Sequence, residues 1–143
     1  MITEVHGNLF GAPPHVALAH CVSVDLRMGK GIALLFRERF GNIAALQEQK
    51  PTIGSTLVLQ HPARPGPIFY LVTKARATGK PTYETMALAL RSLRKAMELV
   101  GVHELAIPHI GCGLDRLEWP RVRGLLQSVF AGTGVQITAY IND

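Results

Sequence analysis

Apolar residues in this chain recur at spacings that predict a long amphipathic helix over residues 82–100. Successive apolar positions there are four, three, four and three residues apart, which is typical of one helix face: Met86, Leu90, Leu93, Met97 and Val100. Thr82 is a suitable N-cap for this helix, and Glu84 favours its positive start. Gly101 can adopt the left-handed conformation that commonly ends a helix.

Three further helices are predicted from apolar periodicity and end signals, over residues 30–40, 42–49 and 120–130. Gly41 can end the first of them, and Asn42 can cap the second. Pro120 stands in the first turn of the third, where its missing N–H costs no hydrogen bond.

Short, mostly apolar runs predict six strands, over residues 1–5, 16–21, 56–60, 68–73, 104–108 and 135–141. Several are apolar at successive positions, as in strands covered on both faces, whereas the last one alternates. A turn rich in Pro and Gly, residues 61–67, joins two strands. Because strands alternate with helices, we expect an α/β domain with helices on both sides of a mixed, largely parallel sheet. Ligands of such sheets bind beyond the carboxyl ends of the strands.

The composition predicts one ordinary globular domain spanning residues 1–143. Hydrophobic residues make up 48% of the chain and charged residues 17%, which excludes a disordered or low-complexity protein. The formal net charge of +5 indicates an anionic partner of unspecified kind. The start of the chain lacks the features of a signal peptide, and no apolar run is long enough to span a membrane. We therefore expect a soluble, cytoplasmic protein with no membrane partner.

Cysteine and histidine spacing excludes several classes of site. Cys21 and Cys112 form no Cys-x-x-Cys pair, which excludes zinc ribbons and thioredoxin-like motifs, and a disulfide scaffold is not expected at this size. The six histidines show no metal-binding spacing, so no metal site is predicted.

Two Gly-x-Gly sequences, at residues 29–31 and 111–113, each lie between a predicted strand and a predicted helix. Glycines let backbone N–H groups approach a phosphate closely, and a helix start adds positive potential. The alternative, that these glycines only make tight turns, stays open at this point. The chain lacks the third glycine of a dinucleotide fingerprint and a P-loop, so an ordinary NTPase is disfavoured.

Lys74 and Asp115 are the titratable residues that the predicted strand ends place best. Lys74 directly follows a strand, where the alternative is a solvated loop lysine. Asp115 follows the second glycine loop, where the alternative is a helix-capping carboxylate. A lysine with an ordinary pKa of about 10.4 is a poor nucleophile at neutral pH unless its surroundings activate it. Packing is the expected role of the neighbouring side chains Cys21, Cys112, His20, His109, Tyr83 and Trp119.

Six sequence motifs, in chain order, resemble a macrodomain. They are residues 7–10 (GNLF), 18–23 (LAHCVS), 25–33 (DLRMGKGIA), 73–74 (TK), 80–84 (KPTYE) and 110–117 (IGCGLDRL). They look like the terminal ADP-ribose protein glycohydrolases of animals and their bacterial relatives, and the resemblance runs from about residue 3 to residue 141. It implies a three-layer α/β/α macrodomain fold around an ADP-ribose cleft.

The resemblance also implies the residues of the site. Lys74 would attack C1″ of the distal ribose to form a covalent lysyl adduct, and Asp115 would handle protons and help to resolve that adduct. The residues implied in binding ADP-ribose are Asn8, Leu9, Ser23, Met28, Gly29, Lys30, Gly31, Ile32, His109, Ile110, Gly111, Cys112, Gly113, Leu114 and Asn142. The family usually has Asp where this chain has Asn8, so we expect weaker recognition of adenine. No cofactor is implied.

The function implied is removal of mono-ADP-ribose from acidic side chains of proteins. The leaving group is then a carboxylate whose pKa is near 4.3, so it needs little protonation, and the acetate of O-acetyl-ADP-ribose is similar. One alternative is release of ADP-ribose from a DNA base, as in related antitoxin macrodomains, although no aromatic and basic stripe for a single strand is visible. Another is a reader that binds ADP-ribose without turnover. The composition rich in Ala, Arg, Gly and Pro suggests a bacterial source.

Overall fold

The computed structural model describes residues 1–142, which form a six-stranded sheet between two helical layers. The strands are β1 (Ile2–His6), β2 (Ala17–Ser23), β3 (Thr56–Leu59), β4 (Ile68–Lys74), β5 (Glu104–Ile107) and β6 (Gln136–Ile141). The helices are α1 (Gly31–Phe40), α2 (Ile43–Glu48), α3 (Tyr83–Val100) and α4 (Trp119–Phe130), and a short 3-10 helix covers Leu9–Gly11.

The order of strands across the sheet is β1-β6-β5-β2-β4-β3. Every neighbouring pair is parallel except β3 and β4, which run antiparallel. The expected mixed, largely parallel sheet is therefore confirmed. Because the five mutually parallel strands end on the same side, their following loops gather along one edge of the sheet, which we call the carboxyl edge.

The two faces of the sheet carry separate apolar cores. On one face, strand residues such as Phe69 and Leu71 pack against α3 and α4. On the other face, Leu18, Ile68 and Tyr70 pack against α1 and α2. This division follows from the alternation of side chains along each strand, and it explains why β2 and β4 read as continuous apolar runs.

The turn between β3 and β4 is held to the rest of the domain by Arg64. Its guanidinium donates to the carbonyl oxygens of Pro13 and Val16, at 3.0 and 2.6 Å. Gly66 passes so close to Val16 that a Cβ on it would lie 2.4 Å from the Val16 carbonyl oxygen. The sequence predicted the turn, but these contacts with residues 13–16 involve positions distant along the chain.

The signals at the ends of α3 are confirmed. The Thr82 hydroxyl accepts from the Thr85 N–H at 3.1 Å, within a reciprocal capping box, and Gly101 ends the helix with φ of 83°. Asn42 is the N-cap residue of α2, as expected, but its side chain makes no capping hydrogen bond. Asn42 adopts a left-handed φ of 58°, and its amide donates instead to the Phe40 carbonyl.

Most other element boundaries differ from the sequence prediction by one or two residues. Strand β2 extends two residues further, to Ser23, because its end pairs with β4 across a register shift after Val22. Helix α1 begins at Gly31, with Lys30 as its N-cap residue. Within residues 1–142, no helix has the length and apolar character needed to cross a lipid bilayer.

Candidate active site

Lys74 and Asp115 meet at the carboxyl edge. The Lys74 Nζ donates to the Asp115 Oδ1 at 2.6 Å, and each side chain is 15% exposed. Lys74 is the last residue of β4, and Asp115 lies in the loop of residues 108–118 that follows β5, which we call the Asp115 loop. Lys74 is therefore no solvated loop lysine, and Asp115 caps no helix, because Glu118 is the N-cap residue of α4.

The path of the Asp115 loop depends on Gly111. This glycine has a φ of +72°, and a Cβ on it would lie 2.7 Å from Met86 Cε and 2.9 Å from Leu117 Cδ1. Its carbonyl accepts from the Leu117 N–H at 2.7 Å, which closes the loop into a ring with Asp115 near its tip. A side chain at this position would disturb both the backbone conformation and the packing.

Asp25 organises the loop between β2 and α1. Its carboxylate accepts from the Ser23 hydroxyl, from the Arg27 N–H at 3.2 Å and from the Ala77 N–H at 3.1 Å. Partial desolvation acts to raise the pKa of Asp25, but these hydrogen bonds outweigh it, led by that from Ser23, and hold the pKa below its ordinary value. The contact with Ala77 ties this loop to the segment that follows Lys74.

The loop of residues 24–30 also holds two buried side chains in an unusual backbone conformation. Leu26 and Met28 are 2% and 4% exposed, and both have positive φ, 51° and 43°. Gly29 and Lys30 after them are exposed, and no side chain caps α1. The N–H groups of the first turn of α1 are therefore available to an anionic ligand.

A groove of about 250 Å³ opens beside this loop, on the β1 and β6 side of the carboxyl edge. Its lining includes Asn8, Leu9, Ile32 and Asn142, four of the residues predicted to bind ligand. The Asn8 side-chain oxygen accepts from the Phe10 N–H at 2.9 Å and so caps the 3-10 helix. An amide oxygen has two lone pairs, which leaves capacity for a second donor.

Several lining residues of this groove were not predicted. They are Gly7, Phe10, Leu35, Arg39 and Pro108. Tyr140, in β6, also lines the groove. The Arg39 guanidinium lies 4.3 Å from the centre of the Phe10 ring, a cation–π contact at the groove wall. Ile32, Leu35 and Arg39 are spaced by three and four positions in α1, so helical periodicity from Ile32 would have pointed to the other two.

The cysteine thiols at the site are held in their protonated form. Burial raises the pKa of Cys21, and the negative charge of Asp115 raises it further. Burial raises the pKa of Cys112 to about 11, and its Sγ lies 3.2 Å from the Ile110 carbonyl oxygen. Neither thiol is suited to act as a nucleophile at neutral pH, in agreement with their expected packing role.

His109 follows β5, but its side chain contacts Glu4 and Trp119 rather than Lys74 or Asp115. Its ring stacks on Trp119 with centroids 4.1 Å apart, and its Nε2 is 3.4 Å from the Glu4 carboxylate. The Trp119 indole N–H donates to the same carboxylate at 3.0 Å. The other predicted residues of this stretch lie in the Asp115 loop between His109 and Asp115: Ile110, Gly111, Cys112, Gly113 and Leu114. Among residues 1–142, no three His, Cys, Asp or Glu side chains are grouped to hold a metal ion.

Comparison with solved structures identifies the fold. The macrodomain of Thermus aquaticus DarG superposes with a TM-score of 0.86 and 30% identity, covering 98% of this chain and 97% of that one. Thermosipho africanus DarTG in complex with ADP-ribose superposes with a TM-score of 0.82 at 20% identity, over 98% of this chain and 41% of that one. The three-layer macrodomain fold is thereby confirmed.

Comparison with known sequences shows which macrodomain family the chain belongs to. No protein-family model matches the chain. The human ADP-ribose glycohydrolase OARD1 is 45% identical over 139 residues, which are 97% of this chain and 90% of that protein. A DNA ADP-ribosyl glycohydrolase of Thermus aquaticus is 30% identical over 148 residues, although this chain spans only 41% of its length. The chain therefore belongs to the ADP-ribose glycohydrolase family of macrodomains.

Proposed function

We propose that this protein is an ADP-ribosyl hydrolase that removes mono-ADP-ribose from acidic side chains of proteins, with Lys74 as nucleophile and Asp115 as proton carrier. One observation carries this assignment: the Lys74 Nζ and the Asp115 Oδ1 lie 2.6 Å apart at the carboxyl edge, and both side chains are mostly buried. The family membership supports the same chemistry, because the human relative is named an ADP-ribose glycohydrolase.

The first chemical step requires a neutral amine. The hydrogen bond between Lys74 and Asp115 gives a path for one ammonium proton to move to the carboxylate, which frees the nitrogen lone pair. The nitrogen then attacks C1″ of the distal ribose, and the bond from C1″ to the ester oxygen breaks. Its electron pair leaves with the substrate carboxylate, whose ordinary pKa of about 4 makes protonation unnecessary.

The second step releases the product. Asp115 first passes the proton taken from Lys74 to solvent, and as a carboxylate it accepts a proton from a water molecule that attacks C1″ of the lysyl adduct. The bond between C1″ and the lysine nitrogen breaks with its electron pair left on the nitrogen. The amine then takes the water-derived proton from Asp115, so free ADP-ribose and the starting pair result. O-acetyl-ADP-ribose is a second substrate of the same chemical type, because its acetate is a comparable leaving group.

In the proposed binding mode, the adenine, the diphosphate and the distal ribose of ADP-ribose lie along the carboxyl edge. The adenine occupies the groove lined by Asn8 and Tyr140. The diphosphate lies against backbone N–H groups at residues 29–32 and 110–113, the two glycine loops. The distal ribose then lies between those loops, where Lys74 and Asp115 meet.

Turnover of a defined substrate tests the assignment. A protein carrying ADP-ribose on glutamate should release free ADP-ribose with the wild-type chain, and a lysyl adduct should be detectable at Lys74 by mass spectrometry. Lys74→Ala should abolish release while keeping ADP-ribose binding in calorimetry. Lys95→Ala, which removes an exposed lysine from α3, should behave as wild type. Normal turnover by Lys74→Ala would refute the mechanism, and binding without turnover of any substrate would indicate a reader.

A DNA substrate is the second candidate function. The DarG macrodomain shares the fold with a TM-score of 0.86, and the carboxyl-edge loops of this chain carry exposed basic side chains: Arg27, Lys30, Arg76, Lys80 and Arg116. Phosphate contacts by such side chains would favour a nucleic acid. A parallel assay with ADP-ribosylated single-stranded DNA separates the two, because release from DNA and none from protein would replace the first assignment.

A further inference from the structure

The segment of residues 80–84 (KPTYE) touches the Asp115 loop on both sides of Asp115. The Lys80 Nζ donates to the carbonyl oxygen of Leu114 at 2.6 Å, one residue before Asp115. The Tyr83 hydroxyl oxygen accepts from the Glu118 N–H at 2.9 Å, three residues after it. The two hydrogen bonds thus bracket the catalytic carboxylate from the same neighbouring segment.

The segment of residues 80–84 is itself firmly held. Pro81 is buried and fixes its own φ, and Thr82 caps α3 through a reciprocal pair of hydrogen bonds with Thr85. Helix α3 is anchored in the core by its apolar face. The Arg121 guanidinium covers the Tyr83 ring at 3.7 Å, which fixes the ring from the side of α4. The hydrogen bonds that Lys80 and Tyr83 make to the Asp115 loop therefore come from a segment that is fixed in position.

The tip of the Asp115 loop has few internal restraints of its own. Gly113 is exposed, Leu114 is 60% exposed, and Arg116 has a left-handed φ of 63°. The backbone bond between Gly111 and Leu117 closes the base of the loop, and the Arg116 N–H reaches the Gly113 carbonyl at 3.2 Å. Contacts from outside the loop must therefore contribute to the position of the Asp115 carboxylate.

We propose that Lys80 and Tyr83 are positioning residues that hold Asp115 within proton-transfer distance of Lys74. This inference rests on the proposed function, because it concerns the same catalytic pair. Lys74 ends β4 and Tyr83 begins α3, and Lys80 lies between them. The proposed nucleophile and the two side chains that hold the Asp115 loop therefore belong to one connection between these elements. A misplacement of about 1 Å in such a pair can cost on the order of a hundredfold in rate.

A different role for Lys80 predicts a different kinetic result. If the exposed ammonium only attracted an anionic substrate, its removal would raise KM and leave kcat unchanged. If it positions Asp115, its removal lowers kcat and changes KM little, because ground-state binding does not depend on the proton carrier. The two roles are therefore separable by steady-state kinetics.

The kinetic test compares four variants on an ADP-ribosylated protein. Lys80→Met should lower kcat about tenfold to a hundredfold with KM within about threefold of wild type. Lys80→Arg keeps a donor and should recover most of kcat, whereas Tyr83→Phe keeps the ring but loses the acceptor and should also lower kcat. Lys95→Met removes a matched exposed charge from α3 and should match wild type. A raised KM with wild-type kcat in Lys80→Met, wild-type kinetics in that variant, or no recovery in Lys80→Arg would overturn the proposal.

A second readout does not depend on turnover. Amide hydrogen exchange of residues 113–118 should quicken at least about tenfold in Lys80→Met, while the amides of α3 keep their wild-type protection. Faster exchange throughout α3 would show general destabilisation and overturn the positioning role, as would unchanged exchange in the loop. Normal turnover by Lys74→Ala would refute the proposed function alone, since the exchange measurement still decides whether the two contacts hold the loop.

Discussion

His20 should make the stability of this protein fall sharply in mild acid. The side chain is 0% exposed and stacks on Phe36 with ring centroids 3.8 Å apart, while the Tyr70 ring meets its edge at 4.9 Å. Neither ring nitrogen has a partner at hydrogen-bond geometry among residues 1–142. Burial therefore lowers the pKa of His20 from 6.5 to about 3, and the nearby backbone of Cys21 opposes this shift only in part.

The direction and size of the effect follow from linkage between protonation and folding. Above pH 6.5 the imidazole is neutral in both states and contributes nothing to the pH dependence. Below that pH, His20 is protonated in the unfolded chain but stays neutral in the folded chain until about pH 3. The free energy of unfolding therefore falls by roughly 1.4 kcal/mol per pH unit. Between pH 7.5 and pH 5 the loss from this one residue is about 2 kcal/mol.

Urea unfolding of wild type and His20→Leu at pH 7.5 and pH 5.0 measures this contribution. The wild-type chain should lose about 2 kcal/mol more than the variant between the two conditions, because leucine does not titrate. His103→Leu removes an exposed imidazole and should keep the wild-type pH difference. Equal losses in wild type and His20→Leu would show that His20 is solvated or hydrogen-bonded when folded, and would refute the reasoning.

Four further substitutions test other features by unfolding or binding measurements. Gly66→Ala should destabilise the fold by about 2 kcal/mol or more in urea unfolding, because the new methyl group meets the Val16 carbonyl at 2.4 Å. Gly124→Ala meets no atom within 4 Å and should stabilise α4 by up to about 1 kcal/mol. Thr82→Ala removes the N-cap of α3 and should cost about 1 kcal/mol in the same assay. Asn8→Asp keeps the bond to the Phe10 N–H and adds a charge that favours the adenine amino group, so calorimetry should show ADP-ribose affinity raised by about threefold or more. Unchanged affinity would contradict the assignment of the adenine groove.

The features that sequence reasoning located well are the ones with local signals. Helix α3 has its N-cap, its apolar period and its terminal glycine within one stretch of chain, so both ends were predicted correctly. The end of β2 was missed by two residues because it depends on pairing with β4, which lies about fifty positions away. The left-handed conformation of Asn42 is one that Asn tolerates well, but an N-cap residue ordinarily has extended backbone, so the cap prediction did not include it.

The contact between Lys74 and Asp115 was likewise predictable only in part. The rule that parallel strands end on one side was sufficient to place Lys74 and Asp115 along the same edge. It could not predict their contact at 2.6 Å, because that distance depends on the path of a loop closed between Gly111 and Leu117. Residue patterns alone also could not select Lys74 as the proposed nucleophile, because a solvated lysine was the simpler interpretation and only the family resemblance favoured a catalytic role.

The four glycines of the two Gly-x-Gly loops look equivalent in the sequence but differ in backbone conformation. Gly31 and Gly111 have positive φ, 60° and 72°, so the turns themselves account for them. Gly113 has ordinary φ and open space around its Cβ position, and Gly29 would meet only the flexible Arg27 side chain, at 3.9 Å. Packing within the protein gives no reason to exclude a side chain at these two positions. A phosphate held against the backbone would give that reason, which agrees with the proposed position of the diphosphate along these two loops.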